Sequence, residues 1–256
     1  MWKYGYASVI GTSHAKTGAP LQDACSANVV SDAEGAEILL AVVSDGAGSA
    51  AQAQIGARLA CDLFIADVKS YLASGGAVRQ LSEEFITWWI ARFLQAVRQQ
   101  AEPAQHAVTD YACTFLAAVI GAECAVYFLL GDGAIVEATH EGNDNYTIVC
   151  WPQQGEYANT TNFLTDADAA NKCVITLQNH IVDEVALFTD GIQNLVLDYR
   201  TKTAHAPFFT PLFAWLRPRP AGFSEELSQS LAVYLNSEKI NARTDDDKTL
   251  LLASRK

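Results

Sequence analysis

The sequence predicts an α+β protein of one domain, residues 1–256, with β-sheets at the centre and helices outside. Three observations lead there. Short apolar, β-branched runs open the chain (residues 4–10, 24–30 and 38–43) and close it (249–253). Two amphipathic helical stretches are inserted early, between Ile55 and Pro103. No internal repeat, low-complexity tract or composition break divides the 256 residues.

Residues 4–10 read as a strand ending at Gly11. Residues 12–20, TSHAKTGAP, read as a polar, turn-rich loop that delivers Gln22 and Asp23 to a second strand at 24–30. A turn at 31–35 leads into the apolar run 38–43, which stops at Ser44. Asp45 follows, then the elbow Gly46-Ala47-Gly48-Ser49-Ala50 and a helical pattern. Read locally, Asp45 has two explanations. It is either a turn residue capping the next helix, or a strand-end carboxylate where glycine lets the backbone approach a ligand closely.

The first helix carries Ile55, Leu59, Leu63 and Tyr71 near helical spacing. The second carries Leu81, Phe85, Trp88, Trp89, Phe93 and Val97, and Pro103 closes it. Both tryptophans read as core or helix-packing residues. Strands follow at 112–120, 125–130 and 134–138. Gly131-Asp132-Gly133 between the last two reads first as a hairpin turn. Further strands are expected at 147–151, 174–177 and 185–188, the last running into Thr189-Asp190-Gly191 and a helix start. Residues 155–163 form a polar loop without an assigned role. Residues 199–222 interleave Pro207, Pro211, Pro218 and Pro220 with Phe208, Phe209, Phe213 and Trp215, which reads as an irregular, flap-like segment packed on the domain. A helix with Leu227, Leu231, Tyr234 and Leu235 precedes Thr244-Asp245-Asp246-Asp247-Lys248 and the last strand.

Composition excludes several functions. With 17 Lys+Arg against 29 Asp+Glu the net charge is −12, which repels nucleic acid and offers no basic face to an anionic membrane. The apolar runs fall short of the roughly 18 residues a membrane helix needs. Six cysteines without a CxxC pair, and a start without a leader pattern, point to reduced thiols and a cytoplasmic location.

The chemistry lies in a repeated setting. Asp45, Asp132, Asp190 and Asp246 all stand at ends of apolar strands; three precede glycine, and Asp23 opens another strand. If those ends meet, four or five carboxylates converge, and they cannot all stay ionised without cations. Oxygen-only ligands select Mg²⁺ or Mn²⁺. Two such ions can activate a water for in-line attack on phosphorus.

Other readings fit less well. Gly46-Ala47-Gly48-Ser49-Ala50-Ala51 matches the dinucleotide pattern, but no acid-tipped strand lies about 20 residues on. No Gly-Lys-Ser/Thr completes a P-loop, and no GxSxG elbow supplies a nucleophile. In Phe188-Thr189-Asp190-Gly191 the nucleophile position of aspartyl-phosphate phosphatases would fall on Phe188. The five histidines are scattered and read as surface or structural groups.

The ordered set Gln22-Asp23, Ser44-Asp45-Gly46-Ala47-Gly48, Cys113-Thr114, Gly131-Asp132-Gly133, Thr189-Asp190-Gly191 and Asp246-Asp247-Lys248-Thr249 resembles the metal-dependent type 2C Ser/Thr protein phosphatases. The stretches GEYANTTNF, FTDGIQ, PFFTPLF and RTDDDKTL resemble the small bacterial PphC-like branch in particular. The resemblance covers essentially the whole chain. It implies two stacked antiparallel β-sheets flanked by α-helix pairs. It implies hydrolysis of phosphoserine and phosphothreonine on phosphorylated proteins, with a Ser/Thr kinase as the opposing partner.

It further implies two Mn²⁺ or Mg²⁺ ions and a third, weaker one. Asp45 would bridge the pair and the Gly46 carbonyl would add a ligand. Asp190 and Asp246 would complete one shell, Asp23 would hold water on the other ion, and Asp132 would help hold the third. Thr114 matches a structural threonine near the site.

Three positions depart from the family pattern. Gly18 stands where an arginine grips the substrate phosphate, leaving Lys16 or His14 as its replacement. Ala47 stands where a histidine often serves as general acid, and Gln22 replaces a glutamate. The missing arginine raises an alternative, a pseudophosphatase that binds phosphoproteins with little turnover.

Overall fold

The computed structural model describes residues 1–32, 34–139, 146–153 and 161–256. In chain order it forms β1 (Lys3–Val9), α1 (Thr12–Thr17), β2 (Ala24–Ser31), β3 (Glu37–Ser44) and two long helices, α2 (Ala53–Ala73) and α3 (Glu83–Ala104). Then come β4 (Phe115–Ile120), β5 (Ala125–Leu130), β6 (Ala134–Thr139), β7 (Thr147–Cys150), α4 (Ala169–Lys172), β8 (Val174–Gln178) and β9 (Val182–Phe188). The last part holds α5 (Gln193–Val196), β10 (Leu197–Asp198), β11 (Thr203–Ala204), α6 (Ala206–Leu216), β12 (Gly222–Phe223), α7 (Glu225–Leu235), α8 (Glu238–Asn241) and β13 (Lys248–Ser254).

Two sheets carry the fold. One is antiparallel, in the order β2-β3-β4-β5-β8. The other runs β12-β1-β13-β9-β6-β7, antiparallel except for the short β1–β12 pair. The unbroken apolar strands follow from burial on both faces. In β3, Leu40 and Val42 point to α2 and α3, whereas Leu39, Ala41 and Val43 point to the other sheet. In β13, Leu250 and Leu252 meet α6 and α7, and Leu251 and Ala253 fill the space between the sheets. The result is a four-layer α-β-β-α sandwich with three apolar interlayers, as the family resemblance implies.

Four local expectations change. Residues 12–17 form a short helix, not a loop. No residue of it is buried, so no apolar periodicity marks it; instead Ser13 donates from N and Oγ to the Asp245 carbonyl (2.9 and 2.8 Å). Gly131-Asp132-Gly133 is not a hairpin: β5 lies in the five-stranded sheet and β6 in the six-stranded one, so the turn crosses between layers. Only one tryptophan of the pair is core. Trp89 is fully buried against Phe64 and Phe115, while Trp88, about 100° round the helix, is 51% exposed.

The expected irregular stretch 199–222 contains α6. Pro207 sits in its first turn, where a missing N–H costs little, and Phe208, Phe209, Phe213 and Leu216 pack on the six-stranded sheet. Most of the polar loop expected at 155–163 lies outside the described residues. Among the described residues, no helix is long and apolar enough to cross a membrane.

Candidate active site

Strand pairing decides where the acids meet. Ala24 pairs with Ser44, Phe115 with Leu130, and Phe188 with both Ala134 and Leu250. The start of β2, the ends of β3, β5 and β9, and the approach to β13 therefore share one end of the sandwich. One carboxylate oxygen each from Asp45, Asp132 and Asp190 lies within 4.8 Å of the others. The charges of Asp23 and Asp190 both act on Asp45. Asp246 borders the trio without joining it. Its Oδ1 accepts from the Asp247 N–H (2.8 Å), yet its charge is felt by Asp45, Asp132 and Asp190.

Each acid is held by its neighbours. The Asp45 N–H donates to Thr114 Oγ1 (2.9 Å), and the Thr114 N–H donates to the Asp45 carbonyl (2.8 Å). Asp45 does not cap α2, whose N-cap is Gln52. Asp23 Oδ2 accepts from Thr189 (2.8 Å) and Thr249 (2.7 Å). The glycines permit close packing of the acid-bearing turns. A Cβ on Gly191 would lie 1.8 Å from the Asp247 carbonyl oxygen, and one on Gly133 2.5 Å from the Phe188 carbonyl oxygen.

Three residues of this end escaped the sequence reading as site residues: Asp247, Lys248 and Thr189. Asp247 is buried. Its carboxylate accepts from Gly11 N–H (2.6 Å) and Gln22 N–H (2.7 Å), which ties β1 and the Asp23 segment to the β13 approach. His14 Nδ1 lies 3.0 Å from Asp247 Oδ2, at ion-pair distance but out of line for a hydrogen bond. Lys248 Nζ donates to the Asp246 carbonyl (3.1 Å) and Asn241 Oδ1 (3.0 Å). Thr189 holds Asp23, as above. An Asp-Asp-Asp-Lys run signals exposed turn chemistry as readily as a buried strut, so only the packing separates these roles.

Of the expected phosphate-binding side chains, Lys16 is exposed in the last turn of α1. Gly18 caps that helix at φ +75°, a conformation that disfavours an arginine there.

The electrostatics are compatible with a bound cation. Burial pushes the Asp23 and Asp190 carboxyls from their usual 3.8 up to about 7, and nearby acids add to the rise: Asp247 for Asp23, Asp132 and Asp246 for Asp190. Asp45 is raised well above its usual value by burial, then by Asp23, Asp190 and Asp246. Buried oxygens of Asp23 (Oδ1), Asp190 (Oδ1) and Gln22 (Oε1) have no hydrogen-bond partner. Unpaired buried acceptors of this kind are costly, and an all-oxygen donor set of this geometry fits a hard divalent ion.

The sign of the pH effect follows. Without metal the folded chain holds protons that the unfolded chain has released. These groups therefore favour folding below about pH 4 and progressively less as pH rises to about 7. Thermal melts in chelator should show the midpoint of the parent falling relative to Asp190→Asn across that window, and saturating Mn²⁺ should remove the difference in slope. A constant offset between the two proteins would contradict this.

Fold and site together define a two-sheet sandwich with a carboxylate cluster at one end that could hold a divalent cation. The comparisons give that class a family. The family model described as protein phosphatase 2C matches residues 10–236. The serine/threonine-protein phosphatase 3 of Escherichia coli (strain K12) is 36% identical over 252 residues, covering 98% of each chain. Among solved structures, the serine/threonine phosphatase Stp1 from Staphylococcus aureus superposes with a TM-score of 0.62 at 14% identity, covering 100% of this chain and 96% of that one. A bacterial serine phosphatase gives 0.63 at 14% identity, covering 99% and 97%. RsbX in complex with magnesium gives 0.53 at 17% identity, covering 97% and 92%. The chain belongs to the protein phosphatase 2C family. Asp246 lies beyond the stretch that the family model matches, so its place at the site rests on the geometry above.

Proposed function

We propose that this protein phosphatase hydrolyses phosphoserine and phosphothreonine on proteins through two Mn²⁺ or Mg²⁺ ions held between its sheets. The observation that carries the reading is the meeting of Asp45, Asp132 and Asp190 within 4.8 Å in a member of this family. Asp45 would contact both ions, and the Gly46 carbonyl would add a ligand. Asp190 and Asp246 would complete one shell, Asp23 would hold water on the other ion, and Asp132 would help hold a third, weaker one. Bound there, the ions would supply a water of lowered pKa for attack on phosphorus and offset the charge of the phosphate.

The chain's own groups do the positioning. Thr114 fixes the Asp45 backbone, Thr189 and Thr249 fix one oxygen of Asp23, and Asp247 fixes the start of α1 against the site. Both candidates for the substrate phosphate and leaving group lie on α1: Lys16 would steady the phosphate, and His14, beside Asp247, would help protonate the leaving group. The kept set of carboxylates argues for turnover and against a binding module. A Ser/Thr kinase is the class of enzyme that must supply the substrate.

Two substitutions test the reading on an aryl phosphate and a phosphothreonine peptide with Mn²⁺. Asp190→Asn should lower kcat by at least about a hundredfold. Lys16→Ala should raise KM about threefold with kcat nearly unchanged, as for one exposed charge contact. Full activity in Asp190→Asn would refute the site.

A further inference from the structure

A second feature suited to phosphate lies close in the chain to the Asp190 turn and to Asp246. A cavity of about 240 Å³ opens between α6 and the α7–α8 corner. Its polar wall consists of His205, Tyr234, Lys239 and Arg243, with Leu195 and Phe208 on the apolar side. No carboxylate lines it, and among the described residues His205, Lys239 and Arg243 have no ion-pair partner. In a chain of net charge −12 such a grouping is a local reversal of sign. The larger cleft beside Asp23, about 660 Å³, differs. Its Arg58 is paired with Asp62 at 3.0 Å, so its charge is neutralised in place.

The cavity is continuous with the site by chain. Arg243 stands three residues before Asp246, which holds the two Cα atoms within about 11 Å. Leu195 lies on α5, which follows the Asp190 turn directly. Lys248 ties the two regions together by bonding both Asn241 on α8 and the Asp246 carbonyl.

We propose that this cavity binds a second phosphoryl group of the substrate protein, a few residues from the one being hydrolysed. The enzyme then prefers multiply phosphorylated segments. An arginine fork and a lysine point charge suit a phosphate dianion, and the Leu195–Phe208 wall suits the chain that carries it. The proposal rests on the phosphatase reading above.

The test uses phosphothreonine peptides with a second phosphoserine moved one to six residues to either side, assayed with Mn²⁺ against Lys239→Ala combined with Arg243→Ala. At the favoured spacing the parent should show a KM about tenfold lower than for the singly phosphorylated peptide. The double substitution should abolish that preference and leave aryl phosphate turnover within about twofold. No preference at any spacing, or one that survives the double substitution, overturns the proposal.

Two further arms keep the readings apart. Aryl phosphate that is not hydrolysed with Mn²⁺ rejects the phosphatase reading itself. Binding of the unhydrolysed doubly phosphorylated peptide in chelator, by titration calorimetry, then still tests the cavity. Inorganic phosphate that binds through Lys239 and Arg243, with no peptide preference, would assign the cavity to a free phosphate and overturn the substrate role.

Discussion

Asp45→Asn is expected to lower kcat on a phosphothreonine peptide by about a thousandfold at saturating Mn²⁺, while the metal-free protein becomes at least as stable as its parent. The two effects have one cause. Burial and the charges of Asp23, Asp190 and Asp246 oppose the ionisation of Asp45. An amide keeps its shape and its backbone ties to Thr114 but removes the repulsion. The same repulsion is what binds cations, and a site that lacks its shared carboxylate cannot place two of them around one water. Loss of a single preorganised charge at a reacting centre costs roughly a hundred- to thousandfold, and this one serves two ions. Comparison of kcat with the melting temperature in chelator checks both halves. A variant that turns over within about tenfold of the parent, or whose metal-free form melts lower, would contradict this role for Asp45.

The second large effect concerns a glycine. Gly191→Ala should destabilise the protein by about 3 kcal/mol and disable the site. Its Cβ would stand 1.8 Å from the Asp247 carbonyl oxygen and 3.3 Å from Lys248 Cγ. A backbone oxygen cannot swing away as a side chain would. The turn after β9 must part from the start of β13, and Asp190 then separates from Asp246. Gly48→Ala is the control: its Cβ would meet only Gln22 Oε1, at 4.0 Å. That change should stay within about 0.5 kcal/mol. Chemical denaturation of the two variants against the parent decides the matter, and equal losses would show that the close packing at Gly191 is not what the glycine provides.

These two positions also show what a sequence can and cannot disclose. Asp45, Asp132 and Asp190 were legible because each ends an apolar run and precedes glycine, a local pattern that survives without coordinates. The long strands were legible to within a few residues, since burial on both faces leaves continuous apolar runs, whereas the two-residue strands β10, β11 and β12 carry no such run and were not read. Which sheet a strand joins was not. Asp132 looks like hairpin chemistry until β5 and β6 are seen in different layers. Helix α1 was hidden because it buries nothing, and α6 because prolines mask a helix whose aromatic face packs on the sheet. Gly48 and Gly191 look alike in sequence, and only the distance to a neighbouring backbone tells them apart. Asp247 was hidden in an acidic run that reads as exposed, although its carboxylate holds three segments together.

The most direct test of the metal-dependent account is a titration of phosphothreonine-peptide turnover against bound Mn²⁺, with the protein first stripped by chelator. The account predicts no turnover in the stripped protein and activity that returns only as a second ion per chain is bound. Asp45→Asn should hold neither ion tightly. Turnover that persists in chelator with no ion bound would contradict it.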